Sequence, residues 1–223
     1  MKADREGLLL QEEKIMRIRI RRILVPVLFC LAVACLIELP LAETTIFGKD
    51  VILWDTLFRA IAAVPVLLWF YSEDKVFRGE KRWGIKEAAL CVFCGASLSL
   101  LSGAFLKLFG RTDYQEAAGN LLTETLWLKY VVLLVASPML EELFFRGILY
   151  QRLKELCSPL VSALFSAFLF GVYHGNLSQG IYGFFMGLVL ACSMEKCQTV
   201  QAPIMIHLAA NLAALFCSAT FLP

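Results

Sequence analysis

Apolar runs of about 20 residues recur along the chain, and they limit its fold more than any other feature. Ile23 to Ala42, Val51 to Tyr71 and Ala88 to Phe109 are the first three. A helix needs about 20 residues to cross roughly 30 Å of hydrocarbon. The expectation is an all-α, polytopic membrane helical bundle.

Composition agrees. The 223 residues are 59% hydrophobic and 18% charged, with a mean hydropathy of +0.71. Soluble domains are nearer half apolar and a quarter charged. A net charge of +2 and the lack of a basic stripe argue against a nucleic-acid partner. The length suits one transmembrane domain, residues 23–223, behind a basic tail, 1–22. That tail and the first apolar run resemble a signal peptide, but the run is long for one, so a retained first helix is expected. Eight cysteines lie mostly in apolar segments, where Cys acts as a small hydrophobe. Cys91-x-x-Cys94 has no His or acidic neighbour to complete a zinc site.

A fourth helix is expected from Thr125 to about Leu156, too long for a simple crossing and free to kink at Pro138. The fifth run is Pro159 to Tyr173, the sixth Gly180 to Met194, the seventh Pro203 to Leu222. Seven crossings are expected, within a range of six to eight. Basic residues gather in the tail, in 72–87 and around Arg152, Lys154 and Lys196; 43–50 and 110–124 are poor in them. By the excess of Lys and Arg on cytoplasmic loops, the N-terminus is cytoplasmic. The compact chain with short loops suits a bacterial plasma membrane.

Ionisable groups inside membrane helices are costly and mark functional sites by default. Asp55 and Arg59 in the second run are spaced i,i+4 and read as a self-neutralising structural pair. Glu141, Glu142 and Arg146 stand in the fourth helix, and both histidines, His174 and His207, lie in apolar runs. Glu142 and Arg146, Phe170 and His174, and His207 and Asn211 are each four apart, so each pair shares a helix face. Counting from the helix turns puts Glu141 and His174 at one depth and His207 near mid-bilayer. The faces should enclose a polar intramembrane cavity. A buried Glu beside a His can activate water, and a second His with an Asn can donate to an oxyanion. Arg146 can hold Glu142 and leave Glu141 free. Together these are the parts for hydrolysing an amide or ester inside a membrane. A non-enzymatic immunity or peptide-binding factor using the same cavity is the alternative; a transporter is disfavoured, since no internal repeat is visible.

Three motifs, E-E-x-x-x-R (Glu141, Glu142, Arg146), F-x-x-x-H (Phe170, His174) and H-x-x-x-N (His207, Asn211), occur in order in hydrophobic helices. Over about residues 125–215 the sequence resembles the CPBP family, the CAAX proteases and bacteriocin-processing enzymes, also called Abi, which includes the type II CAAX prenyl endopeptidase. The resemblance implies an intramembrane endopeptidase acting on a membrane-associated peptide or protein. By position Glu141 is the general base, His174 helps it orient water, and His207 with Asn211 stabilises the oxyanion; Glu142 and Arg146 support. The family has also been described as metal-dependent, so zinc held by Glu141, His174 and His207 is the alternative to the favoured metal-free mechanism. The chain has no H-E-x-x-H.

Overall fold

In the computed structural model, residues 2–74, 83–108 and 125–220 are described, and among them the chain is helical with no strand. Seven helices follow one another: α1 (Lys2–Ala42), α2 (Val51–Glu73), α3 (Ile85–Leu108), α4 (126–153), α5 (Pro159–Tyr173), α6 (Leu177–Cys197) and α7 (Gln201–Thr220). This is a membrane helical bundle. Among the described residues, four stretches are long and apolar enough to cross a membrane: Leu8–Ala42, Gly48–Glu73, Ile85–Ser102 and Leu177–Cys197. The polar loop expected at 110–124, residues 75–82 of the basic loop at 72–87 and the last residues of the seventh run lie outside the described residues.

Helix α1 runs unbroken from Lys2 through Pro26 and Pro40, so the residues expected as a basic tail continue in one helix with the first span. Helix α5 begins and ends where its apolar run does, but its 15 residues reach only about 22 Å at 1.5 Å per residue, short of a full crossing. Around Pro138, α4 widens on either side. Val132–Ala136 and Leu143–Tyr150 are π-helical, and they flank the α-helical Ser137–Glu142. Such wide turns in an α-helix frequently occur at functional sites.

Turn chemistry sets the hairpins. Ser158 caps α5 by accepting from Val161 N, with Pro159 in the first turn. Gly175 at φ 73° turns the chain out of α5, a conformation open to glycine at little cost. Asn176 then caps α6, its Oδ1 accepting from Gln179 N at 2.8 Å. After α6, Gln198 takes a left-handed conformation, φ 54°.

Helix α4 is the centre of the bundle. Leu140, Leu143, Ile148 and Tyr150 pack on Ala60, Ala63 and Leu67 of α2 and on Ala191 and Met194 of α6. Phe145 and Leu149 pack with Phe170, Met186, Leu190, Ile206 and Ala210 from α5, α6 and α7. Small residues bring the other helices close, as expected where lipid removes the hydrophobic drive between helices. A Cβ on Gly95 of α3 would stand 2.1 Å from the Ile206 carbonyl oxygen of α7. One on Gly171 of α5 would stand 2.6 Å from the Gly180 carbonyl oxygen of α6.

At one end of the bundle, charged groups tie three helices together. Arg22 of α1 bonds Asp74 after α2 (2.5 Å) and Glu155 after α4 (2.7 Å). Arg152 of α4 bonds Asp74 (2.7 Å) and the Arg22 carbonyl oxygen, and Arg19 donates to the Glu155 carbonyl oxygen.

Candidate active site

Between the two apolar clusters lie four polar side chains that are buried almost completely. Glu142 and Arg146 have no exposed surface, and Glu141 and His207 have 8% and 7%. Their bonds form a chain. Arg146 Nη1 donates to Glu142 Oε1 at 2.9 Å. His207 Nδ1 meets the same oxygen at 2.8 Å. A carboxylate oxygen only accepts, so Nδ1 carries the hydrogen and Nε2 is left as the free ring nitrogen. Nε2 faces Glu141 Oε2 at 3.9 Å, too far for a direct bond and suited to one oxygen touching both groups. Ser137 Oγ, a turn earlier in α4, donates to the other oxygen of Glu141.

Phe170 is the hub of the aromatic wall. The Arg146 guanidinium lies over its ring, 4.1 Å from the centroid, an attraction strengthened in a desolvated setting. The rings of His174 and His207 stand edge-on to it at 4.8 and 5.9 Å. Gly187 of α6 leaves room for this cation: a Cβ there would stand 3.0 Å from Arg146 Nη2.

The structure therefore joins Glu142 to Arg146 as the i,i+4 spacing implies, but it gives Glu142 a second partner that spacing did not indicate, His207. It does not join His174 to Glu141. His174 is the C-cap of α5, and its Nδ1 bonds the Phe170 carbonyl oxygen at 2.8 Å. No hydrogen bond or ion pair among the described residues links it to the carboxylate. A carbonyl accepts, so Nδ1 again holds the hydrogen and Nε2 is free to accept. Asn211 donates through Nδ2 to the Leu133 carbonyl oxygen at 2.8 Å, within the first π-helical turn, where the regular i,i+4 ladder is interrupted. It is only partly buried, and among the described residues its one side-chain bond is that to Leu133. Ser137 and the central position of Phe170 were not found from sequence; Ser137 does precede Glu141 by one turn, which was the available clue.

Glu141 also lines a cavity of about 310 Å³, the lower end of the range for ligand sites. Val27, Leu31 and Ala34 of α1, Arg59 and Ala63 of α2, Phe144 of α4, and Val172 and Tyr173 of α5 are among its other walls. Leu31, Val172 and Tyr173 remain 56%, 61% and 45% exposed, so the cavity borders the lipid-facing surface. The site is thus a carboxylate at the edge of an apolar cavity, with an oriented imidazole behind it.

Of the zinc set Glu141, His174 and His207, Glu141 Oε2 and His207 Nε2 face each other at 3.9 Å, while no hydrogen bond or ion pair among the described residues joins His174 to either. Among the described residues no group of three or more His, Cys, Asp or Glu is placed to hold a metal ion.

A family model described as type II CAAX prenyl endopeptidase Rce1-like matches residues 123–213, the stretch that carries every polar group above except Arg59. A curated relative in Bacillus subtilis (strain 168), named "Putative membrane peptidase YdiL", is 30% identical over 167 residues, covering 71% of this chain and 68% of that protein. No solved structure matches the chain.

Proposed function

Because the chain belongs to the CPBP family of Rce1-like CAAX proteases and bacteriocin-processing enzymes, we propose that it is an intramembrane endopeptidase in which Glu141 activates water with His207. The observation that carries this reading is the facing pair of Glu141 Oε2 and His207 Nε2, 3.9 Å apart, with the carboxylate on the cavity wall. A water between them donates one hydrogen to each and turns a lone pair toward the cavity. Its oxygen attacks the scissile carbonyl carbon while Glu141 takes a proton, the general-base role. The carbonyl π bond opens and the charge passes to its oxygen. When the tetrahedral intermediate collapses, the C–N bond breaks and Glu141 returns the proton to the departing amine.

Each neighbour has a separate task in this scheme. Glu142 fixes the tautomer and plane of His207, as carboxylates do for catalytic histidines. Arg146 balances the charge of Glu142. The spare amide hydrogen of Asn211, one turn from His207, is offered to the oxyanion. His174 accepts from an N–H of the bound peptide through its free Nε2. In this scheme His207 takes the water-orienting place that the resemblance gives to His174. No metal enters any step, and full cleavage by a zinc-free sample is expected. The excess of Lys and Arg on one set of loops supports a cytoplasmic N-terminus, and the substrate in this reading is a peptide or protein reached from the membrane.

The test uses the purified protein in detergent with a quenched fluorescent peptide library. Glu141→Gln should keep the wild-type thermal transition and lose cleavage. Cleavage at the wild-type rate by that variant would sink the proposal, and loss of cleavage on chelation would replace its metal-free form.

A further inference from the structure

Two charged side chains line the cavity, and the scheme above employs only one. Glu141 enters from α4 and Arg59 from α2; the remaining wall is apolar apart from Tyr173 and Cys30. Arg59 bonds Asp55 one turn earlier, a pairing that i,i+4 spacing favours without any need for a cavity. Yet its side chain is not sealed against Asp55. It is 20% exposed where Asp55 is 10%, and its Nε is buried with no hydrogen-bond partner. A guanidinium can hold one carboxylate on one edge and present its other donors to a second.

On the reading of Glu141 as the catalytic base, we propose that Arg59 is a substrate-reading residue that takes a carboxylate of the bound peptide. The carboxylate comes either from the free C-terminus or from an acidic side chain. The apolar walls, among them Leu31, Ala63, Phe144 and Val172, take the bulky residues beside it. Charge then sets the direction of binding. An anionic group is repelled by Glu141 and attracted by Arg59, so it settles on the α2 side and presents the neutral peptide bond to the α4 side. Asp55 is a positioning residue that holds the fork in place.

The probe is a dye-labelled apolar hexapeptide, Gly-Ala-Leu-Phe-Val-Leu, made in three forms: free carboxylate, carboxamide, and carboxamide with the Val replaced by Glu. Binding is read by fluorescence anisotropy in uncharged detergent, so no cleavage is needed and the catalytic reading is tested separately by Glu141→Gln. Wild type should bind at least one carboxylate form about tenfold or more tighter than the plain amide, the scale of a charge-assisted hydrogen bond. The tighter of the two carboxylate forms identifies the source. Arg59→Gln, made also as Asp55→Asn/Arg59→Gln to keep the pair neutral and the fold intact, should bind all three forms alike, and Arg59→Lys should restore part of the preference. Equal affinity of wild type for the three forms, no measurable binding of any, or a preference that survives both Gln variants overturns the proposal.

Discussion

Glu142 Oε1 accepts from Arg146 and from His207 at once, and the two donors are not equivalent. Arg146 is a charge without exposed surface, so removing it strands Glu142 in a low-dielectric interior. Breaking such a pair from one side typically costs about 3–5 kcal/mol. Arg146→Met should lower the thermal transition in detergent steeply, and Glu142→Gln/Arg146→Met should recover much of the loss without regaining cleavage. His207→Ala removes the other donor to Glu142 as well as the proposed partner of water. It should cost about 1–3 kcal/mol of stability for the orphaned acceptor and reduce kcat by about 10²–10⁴, the usual range for an acid–base group. Asn211→Ala removes both the support of the Leu133 carbonyl and the spare donor. Its expected signature is a stability loss of about 1–3 kcal/mol for the orphaned carbonyl, with a fall in kcat beyond what that loss explains. A calorimetric scan beside a rate measurement separates the two parts.

At the scale of the helices, close approach places the site. Gly95 meets the carbonyl of Ile206, the residue immediately before His207. Gly95→Ala must push α7 away from α3 by about an ångström, since real Cβ contacts essentially never fall under 3.0 Å and this one would stand at 2.1 Å. It should therefore reduce cleavage while His207 itself is intact, and Gly175→Ala, strained by φ but with open space around it, should cost mostly stability. These contacts also mark how far the sequence could be read. The apolar runs were legible because hydropathy is a local sum, and Pro159 to Tyr173 is one helix in the structure as in the sequence. The Glu142–Arg146 pair was legible because i,i+4 neighbours meet on any α-helix. The meeting of Glu142 with His207 was not, since it depends on the rotation of α4 against α7, and counting residues from a turn yields only depth. The π-helical turns were hidden for a related reason: a wider winding leaves no fixed residue signature, and Pro138 pointed to a kink. Nor did the charges of residues 1–22 announce that α1 starts at Lys2.

For the whole molecule, one set of bonds holds one wall of the cavity. Arg22 ties α1 to Asp74 and Glu155 at a single end of the bundle, and only 6% of the membrane window of α1 is buried. Asp74→Asn weakens both Arg22 and Arg152 and should raise the hydrogen-exchange rate of α1 while leaving α4 protected. Orientation can be read on the same molecule without its eight cysteines. Glu12→Cys should react with an impermeant maleimide only after the cells are opened, and Thr45→Cys should react in intact cells. The cavity's border with lipid, where Leu31, Val172 and Tyr173 lie exposed, carries a kinetic consequence. A substrate entering there arrives by diffusion in two dimensions, so the quantity that half-saturates the enzyme is a mole fraction in the bilayer. Diluting a proteoliposome suspension with buffer should leave the rate per enzyme unchanged, whereas adding inert lipid fused to the same vesicles should lower it.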